Sequence, residues 1–162
     1  MKGDTKETVL YMVIGVLMAW GINQGMAVAL TTDMPVVAVE SNSMVPVFYK
    51  GDILVLKGVA PGDLGVGDVI VYSVKTRDVP VVHRIVKINP DGSFQTKGDA
   101  NSGQLDFEFY IPPENVHGKV IVIIPYLGWV KIGMMQYVLP NVIFVLAAVA
   151  VVAAIYYGRR LI

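Results

Sequence analysis

The amino-acid pattern is that of a mainly β protein: a small antiparallel β-domain anchored by an N-terminal and a C-terminal transmembrane helix. The chain has 162 residues and 54% of them are hydrophobic, more than an ordinary soluble domain carries. That excess is confined to two uncharged runs, residues 8–32 and 132–158. Between them, short β-branched runs alternate with turn residues. The division expected is a cytoplasmic tip and transmembrane helix over 1–32, an extracytoplasmic β-domain over 33–130, and a transmembrane helix with a basic tail over 131–162.

Each uncharged run can cross a bilayer, whose hydrocarbon core of about 30 Å needs roughly 20 apolar residues in helix. The first contains "TVLYMVIGVLMAWGINQGMAVAL". Lys2 and Lys6 before it and "AVA" at Ala27 to Ala29 also outline a cleavable signal peptide. Its length exceeds that of a usual signal-peptide apolar region, which favours an anchor. The second contains "YVLPNVIFVLAAVAVVAAIYY". Its Pro140 falls in the first turn, where proline is tolerated, and an unbroken valine and alanine block follows. Two spans put both termini on one side. Lys2 and Lys6 at one end, with Arg159 and Arg160 at the other, place that side in the cytoplasm.

In the middle segment the expected strands are "PVVAVE" (Pro35 to Glu40), "DILVL" (Asp52 to Leu56), "DVIVYSVK" (Asp68 to Lys75), "PVVHRIVKI" (Pro80 to Ile88), "SFQTK" (Ser93 to Lys97) and "KVIVII" (Lys119 to Ile124). "YKGD", "APGDLGVGD", "NPDGS" and "IPPEN" separate them with turn chemistry. No helical period of useful length stands outside the two spans.

Composition narrows the chemistry. There is no cysteine, so the segment folds without disulfides even in an oxidising compartment. Only two histidines, His83 and His117, are present, far apart and without a carboxylate at helical spacing, so no metal is expected. "GVGD" lacks the spacing and lysine of a phosphate-binding loop, and no cofactor is expected. A net charge of zero with no basic cluster argues against nucleic acid.

Serine, histidine and aspartate remain. In extended conformation Val37, Val39, Ser41 and Ser43 of "VVAVESNSM" share one face, which sets two hydroxyls side by side. The same stretch also reads as a solvated turn, and Met44 as a core or membrane-facing side chain. Alternation places His83 with Val81 and Ile85 on an apolar face, and Arg84 with Val82 and Val86 on the other. A histidine so placed is a structural residue or a general base kept neutral by its surroundings. His117 reads as a loop or strand-start residue without a role. "TKGDANSGQLDFEF" offers Asp99 and Asp106 as carboxylates to orient an imidazole, or as ordinary turn residues.

The ordered boxes "SNSMVP", "VPVVHRI" and "KGDAN" followed by Asp106 resemble the type I signal peptidases of the archaeal and eukaryotic endoplasmic-reticulum branch, a Ser-His-Asp type of peptidase family S26. The resemblance runs from the first span to about Tyr126. Asn42, Val45 and Ala100 depart from the family pattern without touching a reacting group. It implies a membrane-bound serine endopeptidase that removes signal peptides at small-x-small sites. Ser43 is then the nucleophile, His83 the general base, and Asp106 the carboxylate that completes the set, with Asp99 the functionally important aspartate of the "GD" pair. The oxyanion donors implied are the backbone N–H of Ser43 and the hydroxyl of Ser41. Val37, Ala38 and Val39 offer a strand edge to which an extended substrate can add.

The partners implied are preproteins bearing signal peptides, the lipid bilayer and the Sec translocon. The setting implied is the cell membrane, or the endoplasmic-reticulum membrane in a eukaryote, with the β-domain on the extracytoplasmic side. Eukaryotic relatives work in a complex, but no partner surface is legible in the sequence. Two other readings compete. A self-cleaving repressor shares the Ser-Met feature but uses lysine and is soluble. A non-catalytic membrane-anchored β-domain, acting as a binding or assembly subunit, needs no reactive serine at all.

Overall fold

Twenty-five consecutive residues, Thr5–Ala29, form helix α1. At 1.5 Å per residue it is about 37 Å long, enough for a bilayer core. Its apolar side chains, Val9, Leu10, Met12, Leu17 and Trp20 among them, are exposed and meet no protein surface. A helix that is apolar all round yet unburied suits lipid. The computed structural model describes residues 5–142 and, beyond them, positions 144, 147, 151 and 156. The expected C-terminal span and the residues before Thr5 therefore lie largely outside the described residues, and α1 is the one candidate span among those described.

The strands are β1 (Val36–Ala38), β2 (Ile53–Lys57), β3 (Val69–Tyr72), β4 (Val81–Ile88), β5 (Phe94–Lys97) and β6 (Val116–Ile124). Each lies within or overlaps one of the runs expected from the sequence. They make one six-stranded sheet in the order β1-β2-β6-β3-β4-β5, with every neighbouring pair antiparallel. The last of the described strands, β6, thus sits at the middle of the sheet. It starts at Val116, earlier than its β-branched run suggests, because "VHGK" pairs with the ends of β2 and β3.

Two apolar clusters form the core. Met44, Phe48, Leu54, Leu56 and Val71 pack with Val37 and Val39. Ile70, Tyr72, Val81, Ile85, Phe94 and Ile111 form the second cluster.

A short helix α2 (Gly128–Gly133) begins at the end of the expected β-domain, and a π-turn (Met134–Val138) follows it. Gly128 fits flush against the Gly51 and Asp52 carbonyls, 2.8 and 2.7 Å from where a Cβ would stand, and its N–H donates to Gly51 O at 2.8 Å. That contact docks α2 on the turn before β2.

Candidate active site

Strand β1 ends at Ala38, so alternation does not carry on to the serines. Val39 instead brackets the Gly51–Asp52 turn, its N–H donating to Asp52 O and its carbonyl accepting from Gly51 N–H, both at 2.9 Å. The chain then turns tightly, Val47 N–H donating to Met44 O at 2.9 Å. Asn42 Oδ1 accepts the Lys50 N–H at 2.8 Å and closes the turn from outside. The two hydroxyls still meet, with Ser41 Oγ and Ser43 Oγ 3.2 Å apart. A turn, not a strand face, brings them together. Met44 is buried as a core residue, and its Sδ accepts the Asp99 N–H at 3.4 Å.

His83 lies on the inner face of β4 with Val81 and Ile85, the side that alternation assigns to it, and is 4% exposed. Its Nε2 lies 3.0 Å from Ser43 Oγ. Its Nδ1 contacts Glu108 Oε1. Glu108 is fully buried, and its second oxygen accepts the Leu105 N–H at 2.6 Å. With both carboxylate oxygens acting as acceptors, the ring proton belongs on Nδ1. Nε2 is then a free base, and the Ser43 hydroxyl donates to it. Burial pushes the imidazole below its ordinary value and so favours this neutral form, while the Glu108 charge and hydrogen bond pull the other way. A Ser–His–carboxylate line therefore exists, and its carboxylate is Glu108.

Asp106, expected to complete the set, is not in it. The 3-10 turn Asp106–Phe109 directs its first residue to solvent and its third, Glu108, inward. No local pattern in "DFEF" marks Glu108 for burial, since Phe109 beside it is itself exposed. Asp99 is also away from the imidazole nitrogens. It takes a two-pronged ion pair from Arg84, Nε to Oδ1 at 2.9 Å and Nη2 to Oδ2 at 2.5 Å. Arg84 Nη1 also donates to Gly67 O at 2.7 Å. Arg84 thus ties the 98–101 turn to the outer face of β4.

That turn touches both reacting residues. The Ala100 N–H donates to Ser43 O at 2.9 Å. A Cβ on Gly98 would lie 2.7 Å from Ser43 O and 2.8 Å from His83 Nε2, so glycine is the residue that fits. Arg84, Gly98 and Glu108 are the site residues that the sequence reading did not select.

A cleft of about 610 Å³ opens over Ser43 and His83. Val37, Ala38 and Val39, the expected substrate edge, line one side, and the loop from Thr76 to Pro80 lines another. β1 lies at the edge of the sheet. An extended peptide laid along it would pass the serine, whose base and orienting carboxylate are already aligned. That arrangement suits acyl transfer.

Over 142 residues the chain is 34% identical to the signal peptidase complex catalytic subunit SEC11C of Rattus norvegicus, covering 82% of this chain and 71% of that protein. The chain belongs to the signal peptidase catalytic-subunit family. The SEC11 subunit of Chaetomium globosum is 35% identical over 124 residues, 70% of this chain and 72% of its own. That of Sclerotinia sclerotiorum is 36% identical over the same length and shares. No family model matches the sequence. In this member of the family the serine and histidine of the ordered boxes lie within contact of each other, and the carboxylate on the histidine is Glu108.

Proposed function

We propose that this chain is a membrane-bound serine endopeptidase that removes signal peptides from preproteins, with Ser43, His83 and Glu108 as its catalytic line. Membership of the signal peptidase catalytic-subunit family supports the activity. The observation that carries the residue assignment is the 3.0 Å contact between Ser43 Oγ and His83 Nε2, on a histidine held from behind by buried Glu108.

His83 Nε2 takes the Ser43 proton as Oγ attacks the carbonyl of the scissile bond. Glu108 holds the tautomer and stabilises the imidazolium that forms. The tetrahedral oxyanion is met by the Ser43 N–H and the Ser41 hydroxyl, 3.2 Å from the nucleophile. The intermediate collapses as Nε2–H protonates the leaving amine, which frees the mature protein. Water, deprotonated by the same nitrogen, then cleaves the Ser43 ester and releases the signal peptide. Asp99 works through Arg84 on the turn that holds Ser43 O, and Asp106 has no part in proton transfer.

The substrate lies extended against Val37, Ala38 and Val39, with small side chains at its small-x-small site facing the valine and alanine wall. The β-domain lies on the extracytoplasmic face, where a signal peptide emerges from the Sec translocon. The SEC11 relatives are named as subunits of a complex, and this chain works with accessory subunits in the same way. A non-catalytic binding subunit would have no use for an aligned serine and base. Incubating the detergent-solubilised chain with a preprotein, against Ser43→Ala and His83→Ala, tests the reading. Wild type cleaves and both variants fail. Equal processing by all three would refute it.

A further inference from the structure

The end of α1 does not hang free from the β-domain. Leu30 O accepts the Gly58 N–H at 2.8 Å, and the Thr31 hydroxyl reaches Gly58 O at 3.2 Å. A Cβ on Gly58 would stand 1.9 Å from Thr31 O, so the two backbones are pressed together. Thr32 Oγ1 donates to His117 O at 2.7 Å and accepts the Met34 N–H at 3.1 Å. Both oxygens of Asp33 lie 3.0 Å from His117 Nδ1, and His117 Nε2 lies 2.7 Å from Ser73 Oγ. Four successive residues after the helix, Leu30 to Asp33, are thus fixed to the end of β2, to β6 and, through His117, to the end of β3. Those three strands are neighbours in the sheet.

Ser73, His117 and Asp33 repeat the order of a catalytic line, but the Asp33 side chain is 68% exposed and the adjoining hollow is lined by Asp33 and His117 without Ser73. That hollow does not reach the Ser73 hydroxyl, so a mechanical part is the simpler one for this set. Its position gives it a task. From Asp33 the chain runs through β1 into the turn bearing Ser43, and from Ser73 it runs into the loop that lines the cleft. Both approaches to the nucleophile start at the brace.

We propose that the Asp33–His117–Ser73 brace, with Thr31 and Thr32 on Gly58 and His117, fixes the height of Ser43 above the bilayer and so selects which bond of a membrane-embedded signal peptide is cut. The inference rests on the signal peptidase reading above and on α1 crossing the membrane. A signal peptide's apolar segment lies in the same bilayer as α1, so the reach from its end to Ser43 is a fixed length only if the anchor cannot swivel. Asp33, His117 and Ser73 are positioning residues. They touch neither substrate nor the reacting atoms.

The full chain, reconstituted in phosphatidylcholine–phosphatidylglycerol vesicles, is given two substrates. One is a preprotein with two small-x-small sites staggered behind its apolar segment, and the other is a soluble peptide carrying a single such site. Products are resolved by mass spectrometry. His117→Ala and Asp33→Asn should cut the soluble peptide within about twofold of wild type while shifting the ratio of near to far cuts by about fivefold, the scale of one lost hydrogen bond. Ser73→Ala, a milder change that leaves the Asp33–His117 pair, should shift it less. His117→Gln should restore part of it. An unchanged ratio in Ser73→Ala and Asp33→Asn would overturn the inference, as would a parallel loss on both substrates. If wild type cut neither substrate, the signal peptidase reading itself would fall, which is a separate outcome.

Discussion

Glu108 and Asp106 stand two residues apart, and the 3-10 turn decides between them. Glu108 is buried on His83 Nδ1, whereas Asp106 faces water. Glu108→Gln should lower kcat by about 10³- to 10⁴-fold, the cost of losing control of the imidazole tautomer, and Asp106→Asn should leave it within about twofold. Steady-state kinetics on a preprotein checks both. On the proposed mechanism Ser41→Ala takes away one donor to the oxyanion and should cost about 10²- to 10³-fold in kcat. A pH profile follows from the His83 environment. The neutral imidazole is the working form, and burial lowers its proton affinity, so the acid limb of kcat/KM should lie below the ordinary value of 6.5. Glu108→Gln removes two influences that raise that affinity and should move the limb lower still, at a much reduced rate. A limb above 6.5 in wild type would contradict the assignment. Ser43 and His83 stood out in the sequence through the order of their boxes and the family resemblance, since local pattern alone reads as a turn serine and a structural histidine. Glu108 did not, because the direction in which a short turn points its carboxylates is set by packing.

At the level of elements, all six strands could be read from β-branched runs and their turns, and alternation assigned the faces of β4 correctly. It failed at Ser41 and Ser43, where β1 stops at Ala38 and a hydrogen-bonded turn takes over. The early start of β6 and the helix α2 were also not legible, since glycine contacts with distant backbone decide them. The 98–101 turn ties these elements together, with Arg84 holding Asp99 on one side and Ala100 N–H holding Ser43 O on the other. Gly98→Ala should therefore displace the Ser43–His83 pair. A misplacement of about 1 Å costs on the order of 10²-fold in rate, so kcat should fall by that scale with thermal stability less affected. A Gly98→Ala enzyme with wild-type kcat would show that the turn does not position the pair.

For the molecule as a whole, the sequence's strongest signal was the concentration of apolar residues at its ends. Helix α1 accounts for one end, with its side chains bare of protein contact over a length that fits a bilayer. The chain should remain in the membrane fraction after alkaline carbonate washing and leave it only with detergent. The β-domain adds exposed Ile121, Val122 and Ile123 on β6 and, after it, Tyr126 and Trp129. What the sequence could not convey is how firmly α1 is joined to the sheet, because that joint is built from a glycine, two threonines and a histidine that have no shared local pattern.

Cleavage of preproteins by Ser43, activated by His83, is the proposal on which the other roles depend. Mass spectrometry of a preprotein incubated with the solubilised wild type, beside the Ser43→Ala variant at equal concentration and fold, tests it most directly. Wild type should make one cut after a small-x-small site, and Ser43→Ala should leave the preprotein intact. Cleavage at the same bond and the same rate by Ser43→Ala would contradict the proposal.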